Sequence, residues 1–150
     1  MTGRIVLFSG MPGSGKTTLA RALCEGGRAV HLRVDTIERA IRESSLAPPS
    51  AIDAGYRVAS AQASELAALG HDVICDAVNA AARGRDLWPE PDLVVWVHVP
   101  EDVRGARIEA RGFAGYPHEW EDWDRPVLKL DGTLAVDELA SKVRGALGAR

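Results

Sequence analysis

The segment Gly10-Met11-Pro12-Gly13-Ser14-Gly15-Lys16-Thr17 fits the pattern G-x-x-x-x-G-K-[ST] at every fixed position. With this composition a chance match is expected in roughly one chain of this length in 400. The chemistry such a run supports is the cradling of a di- or triphosphate. Its glycines let successive backbone N–H groups curl around the phosphates, and the helix that follows adds the partial positive charge of its N-terminus. Lys16 is then placed to span the β- and γ-phosphates, and the Thr17 hydroxyl to ligate Mg²⁺, with Thr18 completing the first turn of the nucleotide-binding set. The motif leaves open whether the γ-phosphate is transferred or hydrolysed. No Asn-Lys-x-Asp guanine-reading motif occurs in the chain, which turns the reading toward a small-molecule kinase.

Two acids and several arginines are the further candidates. Asp35 follows an apolar run, at the end of a strand where open α/β sheets bind ligands, and a carboxylate there could orient a hydroxyl for in-line attack. Asp35-Thr36-Ile37-Glu38 also reads as a helix N-cap with an acid three residues on. Asp76 ends the apolar run Val73-Ile74-Cys75, as a metal-holding acid should, and the alternative is a cap or turn residue. Asn79, Arg83 and Arg85 come next on a loop and helix expected to face an acceptor, or else a solvated helix face. Arg39 joins them as a candidate for the acceptor side. Arg107 and Arg111 lie four apart and therefore on one helical face, where they could grip a transferring phosphoryl opposite Lys16; an ordinary amphipathic helix would look the same.

The elements that must position these groups alternate apolar runs with helical periodicity, the signature of a parallel sheet wrapped by helices. The runs are 5–8, 29–34, 72–75, 93–99 and 127–130, several of them continuously apolar, as strands buried on both faces are. Helices are expected over 17–25, stopped by Gly26-Gly27, over 36–43, over 100–110 and over 134–147. Between them Ile52, Tyr56, Ala59, Ala63 and Leu66 mark another helix, opened by a capping-box pairing of Ser50 with Asp53 and closed by Gly70. The expectation is one domain over residues 1–150, with five parallel strands in the order 2-3-1-4-5 and a short lid at about 111–125.

A chain of 150 residues, 46% hydrophobic and 26% charged, can bury a full core. Net charge is −3, which argues against a protein that binds nucleic acid by neutralising a long phosphate backbone. Only three of the eighteen basic residues are lysines, and the arginine excess suits forked contacts with an anionic ligand. Cys24 and Cys75 offer no disulfide framework or metal spacing and are expected to be small buried hydrophobes. No apolar run reaches membrane-spanning length, and a cytoplasmic location is the expectation.

With these residues in view, the chain resembles P-loop kinases of the nucleotide-kinase-like group. Within that group it is similar to small kinases related to chloramphenicol phosphotransferase, polynucleotide 5'-kinase and zeta toxin. Arg33-Val34-Asp35-Thr36-Ile37-Glu38-Arg39 is similar to a segment of the phosphotransferase, and this implies that Asp35 accepts the proton of the attacking hydroxyl. Val73 to Asn79 resembles the metal-holding strand, with Asp76 its acid. The run Arg104 to Gly112 resembles the lid arginines, with Arg107 also near the adenine, and the loop Asp131-Gly132-Thr133 would lie on the adenine side. The chain lacks the Asp-Gly-Asp of adenylylsulfate kinase and the Gly-Asp-x-x-His of gluconate kinase. What the resemblance implies is an ATP- and Mg²⁺-dependent kinase acting on a hydroxyl of a small molecule, a metabolite or an antibiotic. A polynucleotide or nucleoside 5'-hydroxyl kinase is one rival, and an ATPase or nucleotide-binding regulator without an acceptor is another. The stretch His118-Glu119-Trp120-Glu121-Asp122-Trp123-Asp124 carries four carboxylates. Such a lid would repel a polyanion and tolerate a neutral or cationic acceptor, although Arg33, Arg39, Arg83 and Arg85 could line a phosphate groove beneath it. Its tryptophans are expected to anchor the lid base rather than to form a substrate wall.

Overall fold

The computed structural model describes residues 1–45, 53–112 and 118–148. Strand β1 (Ile5–Ser9) is buried at every position, and its alternation feeds two cores at once. Val6 and Phe8 pack on one face with Leu19, Leu23, Leu139 and Val143, while Ile5 and Leu7 pack on the other with Ala59, Ala63 and Trp88. A strand buried on both sides has no use for alternating polarity, hence the unbroken apolar run.

The other strands are β2 (Val30–Arg33), β3 (Val73–Asp76), β4 (Leu93–His98) and β5 (Leu128–Asp131). All pair in parallel in the order β2-β3-β1-β4-β5. This is the expected order, and the fold is that of P-loop NTPase kinases. Helices α1 (Lys16–Cys24) and α6 (Val136–Leu147) cover the first core, and α3 (Ala54–Ala68) lies on the second through Ala59, Ala63 and Ala67. Helix α2 (Val34–Glu43) packs along α3, the four-residue helix α4 (Ala82–Arg85) follows β3, and α5 (Glu101–Arg111) follows β4. Among the described residues no helix is long and apolar enough to cross a membrane. Cys75 is buried as expected, whereas Cys24 is only half-buried at the margin of the first core.

Two boundaries differ from the sequence reading in ways that matter. Helix α2 begins at Val34, directly from β2, so Asp35 lies inside its first turn and makes no capping hydrogen bond. The cap reading of Asp35 is thereby removed. Asp53 does occupy the N-cap position of α3, but its carboxylate takes Arg57 at 2.7 Å instead of a backbone N–H, and Ser50 lies outside the described residues.

Register decides what meets at the carboxyl edge of the sheet. Phe8 of β1 and Arg33 of β2 both pair with Asp76 of β3, and His31 pairs with Ile74. Residues two apart on a strand share a face. His31, Asp76 and Phe8 therefore all belong to the face that carries α1.

The loop after β5 closes on the glycine-rich loop. A Cβ on Gly132 would come within 2.4 Å of the Ser14 carbonyl oxygen and 2.7 Å of a Val99 methyl. Gly132→Val should consequently push the two loops apart. It is expected to cost about 1–3 kcal/mol, the usual scale of overpacking, and to weaken nucleotide binding alongside. Thermal denaturation with a nucleotide titration checks this, and a wild-type melting temperature would show that the contact has slack.

Candidate active site

The glycine-rich loop leaves β1 and re-enters helix at Lys16. Gly13 (φ 85°) and Gly15 (φ 93°) take the left-handed backbone that side-chain-bearing residues avoid, and Gly15 is the N-cap of α1. Helix α5 backs the loop so closely that a Cβ on Gly13 would sit 3.2 Å from Arg104 and 3.3 Å from Ile108. Pro12, Gly13, Gly15, Lys16, Thr17 and Thr18 face an open cleft. Gly10, Met11 and Ser14 support the loop from behind instead: the Gly10 N–H donates to the Val78 carbonyl at 3.1 Å, and Ser14 N–H to Met11 O at 3.1 Å.

Lys16 is 8% exposed, yet among the described residues its side chain makes no hydrogen bond or ion pair. Burial pushes its ammonium below the ordinary lysine range, against the pull of Asp76 and then Asp35, and Arg33 and Arg111 push it the same way as burial. One turn of chemistry away, the Thr17 hydroxyl donates to Asp76 Oδ2 at 2.7 Å, and His31 Nε2 donates to the same oxygen at 2.8 Å. Burial would raise the Asp76 carboxyl, but the His31 hydrogen bond, the Lys16 charge and the Thr17 hydroxyl outweigh it and hold the group below the usual range. An ionised carboxylate beside a hydroxyl is a hard-oxygen donor pair suited to Mg²⁺, which takes few protein ligands and completes its shell with water and phosphate. These two oxygens would fit a divalent cation that keeps its remaining ligands from water and phosphate.

The cleft in front of the loop has a volume of about 1090 Å³. Ligand pockets commonly run to ~300–1,000 Å³, so the cleft lies at the large end of that scale. Its far wall is built by α2, α3 and α4. Asp35 is largely exposed there, with the Arg33 guanidinium 3.8 Å away. Glu38, one turn on, is pushed up by burial and by the Asp35 charge. A Cβ on Gly55 would strike Glu38 Cγ at 2.5 Å, so glycine is what lets α3 come this close. Arg39, Arg83 and Tyr56 line the cleft with Asp35 and Glu38, as do Arg107, Arg111 and His118. Arg107 donates to the carbonyls of Gly13 and Ser14, each at 3.2 Å, and of Gly132 at 2.9 Å.

A family model described as AAA domain matches residues 5–127. The chain belongs to that AAA-domain family. Comparison with curated proteins gives no match. Among solved structures, the chain is similar to the Mycobacterium tuberculosis APS kinase CysC in complex with AMPPNP and APS, at 24% identity and TM-score 0.74, over 97% of this chain and 98% of that one. It is also similar to a sugar kinase from Janibacter sp. HTCC2649, at 18% identity and TM-score 0.70, over 94% and 92%. A gluconokinase from Sinorhizobium meliloti 1021 shares 21% identity with TM-score 0.64, over 97% and 91%. At such identities the likeness is one of fold. The AAA-domain chain here lacks the acidic and histidine motifs expected for adenylylsulfate or gluconate, and those substrates stay with those proteins.

Two expected acceptor residues of this AAA-domain protein serve the scaffold instead. Asn79 is fully buried: its Nδ2 donates to the Phe8 carbonyl at 2.7 Å, its Oδ1 accepts from Trp88 Nε1 at 2.8 Å, and its backbone N–H meets the Tyr56 hydroxyl at 3.2 Å. Arg85 is consumed by carbonyls. It donates to Asn79, Ala80, Glu121 and Asp122, and its guanidinium lies 3.8 Å over the Trp123 ring. Residues 113–117 of the expected lid lie outside the described residues, but 118–125 is an irregular segment whose base is anchored. Glu121 caps the start of α4 by accepting from Ala82 N–H at 2.8 Å, and Trp120 stacks on Trp96 at 5.0 Å. The tryptophans thus act as anchors, as expected. His31, Glu38 and Tyr56 are cleft or site residues that the sequence did not single out as such, whereas Arg33 and His118 entered only through the groove and lid expectations.

Asn79→Ala would strand the Trp88 N–H and the Phe8 carbonyl, each orphaned buried group costing about 1–3 kcal/mol. We expect the unfolding free energy from urea denaturation to fall by about 2–6 kcal/mol, with nucleotide affinity retained in the folded fraction. Unchanged stability with lost turnover would return Asn79 to the substrate-binding set.

Proposed function

We propose that this protein is an ATP-dependent kinase that transfers the γ-phosphoryl group to a hydroxyl of a small molecule. The observation that carries this reading is the position of Asp35, an exposed carboxylate released from any capping role and facing the same cleft as Lys16. A nucleotide hydrolase needs no acid on a second wall of the cleft, whereas a kinase needs one to receive the acceptor's proton.

In this reading the glycine-rich loop holds the β- and γ-phosphates, and the unpaired Lys16 ammonium lies along the bond that breaks. Mg²⁺, held through Thr17 and Asp76, supplies charge neutralisation at the phosphates when bound. Asp35 takes the proton from the acceptor hydroxyl as its oxygen attacks the γ-phosphorus in line, and ADP departs. Arg111 faces the transferring group from α5, and Arg107 steadies the loop and the adenine side. Arg39 and Arg83 are the acceptor's polar handles on the far wall.

The mixed lining supports a small, polar acceptor. Arg33, Arg39 and Arg83 alternate there with Glu38, Glu119 and Glu121, which suits a molecule with several hydrogen-bonding groups. A polynucleotide end would need a continuous basic track, and the two lid carboxylates interrupt one. Metabolites and antibiotics bearing hydroxyls are the acceptor class to screen by ADP release.

Lys16→Ala should abolish transfer and weaken ATP binding, since its charge is aimed where negative charge builds up; activity close to wild type would remove the phosphate-site reading. Asp35→Asn should cut turnover by roughly 10²–10⁴ and leave nucleotide affinity and melting temperature near wild type. If the protein were a hydrolase without an acceptor, Asp35→Asn would leave steady-state ATP hydrolysis untouched.

A further inference from the structure

Asp76 has two hydrogen-bond donors on a single oxygen, and only one of them belongs to the phosphate-binding motif. The Thr17 hydroxyl is 2.7 Å from Oδ2 and the His31 ring nitrogen 2.8 Å from the same atom. Asp76 is 2% exposed. A buried carboxylate must be compensated by hydrogen bonds or by a counter-charge. A carboxylate oxygen accepts, so in this 2.8 Å contact the His31 ring donates from Nε2.

A counter-charge that Asp76 could otherwise recruit is Lys16, which opens the same helix as Thr17. Lys16 is 8% exposed and immediately precedes Thr17, whose hydroxyl is 2.7 Å from Asp76, and yet no ion pair joins Lys16 to Asp76. Lys16 is consequently nearly buried and unpaired, the state a phosphate-binding ammonium needs before its ligand arrives. Satisfying Asp76 from the β2 side is what leaves it in that state. His31 reaches Asp76 because β2 pairs with β3 in the register that sets His31 beside Ile74, on the α1 face.

We propose that His31 is a positioning residue of the nucleotide site: its hydrogen bond fixes the Asp76 carboxylate toward Thr17 and keeps it from capturing Lys16. The proposal rests on the reading of this cleft as a nucleotide and metal site. His31 acts through Asp76 and touches neither nucleotide nor acceptor. Without the donor, Asp76 turns toward Lys16, and both the metal and the phosphate lose a prepared partner.

The experiment is a double-mutant cycle read by equilibrium binding of AMPPNP, with Mg²⁺ and again in EDTA, on the wild type, His31→Leu, His31→Gln, Asp76→Asn and the pair His31→Leu/Asp76→Asn. His31→Leu should raise the Kd with Mg²⁺ by about 10–100-fold, the usual effect of losing the partner that orients a metal-holding group. It should also raise the Kd in EDTA, because Lys16 is then taken up by Asp76. His31→Gln, whose amide can donate to the same oxygen, should restore most of the affinity. In the Asp76→Asn background His31→Leu should change the Kd by less than about twofold, within the tolerance of non-interacting sites. A merely structural histidine would give independent, multiplying losses in both backgrounds, and that result overturns the proposal. So does a His31→Leu protein that binds AMPPNP like wild type. Should His31→Leu fail to fold, His31→Gln and the double variant, which buries no carboxylate, still decide the point. Wild-type protein that binds no AMPPNP would sink the nucleotide-site reading itself, whereas normal wild-type binding indifferent to His31 would sink this proposal alone.

Discussion

Lys16 stands nearly buried at the first turn of α1 without an ion pair, and burial drives its ammonium toward the neutral form. An uncompensated buried charge is costly, and much of the site is arranged to keep this one charged without quenching it. Asp76 and Asp35 draw it upward from a distance, while Arg33 and Arg111 oppose them. Thr17 and His31 occupy Asp76, and Arg33 stands beside Asp35. The result is a cation whose natural partners are each engaged elsewhere, ready for an anionic ligand.

That arrangement depends on strands that are rigidly indexed. A sheet buried on both faces tolerates polar chemistry only where its strands end, and the pairing of Phe8 and Arg33 with Asp76 puts three strand ends in one row. Behind the row, fully buried Asn79 ties β1 to the segment after β3 and to Trp88, and Arg85 gathers four carbonyls from two chain segments. These residues hold the wall on which Arg83 and Tyr56 are displayed. Two arginines of one short helix thus face different ways, Arg85 toward the carbonyls it holds and Arg83 toward the cleft.

The strands, their order and the phosphate-binding loop were legible in the sequence, because continuous apolar runs and a glycine pattern are local signals that tertiary context here does not override. His31 was not legible. A lone histidine in a strand acquires its meaning only from register, and register is set by pairing across 45 residues of sequence. Arg85 misled for a related reason: charge at helical spacing reads as a solvated or ligand-facing side, and its carbonyl partners Glu121 and Asp122 lie 36 and 37 residues away. The cap reading of Asp35 failed because β2 passes into α2 with no intervening residue, which moves the helix start forward and leaves the acid nothing to cap.

The two arginines of α5 were read as a pair, but geometry separates their work. Arg107 holds the carbonyl oxygens of Gly13, Ser14 and Gly132. In a planar trans peptide the N–H points away from the C=O it shares a plane with. A guanidinium that holds the Ser14 carbonyl therefore fixes the Gly15 N–H pointing the opposite way. With this contact Arg107 shapes the loop, and it joins the loop to Gly132, whose missing Cβ makes room for the Ser14 oxygen. Arg111, one turn further along α5, lines the cleft and faces Lys16 closely enough to press on its charge. One arginine organises backbone donors before a ligand binds, and the other adds charge at the cleft itself. Their i, i+4 spacing serves this division, because it puts both on the face of α5 that backs the loop.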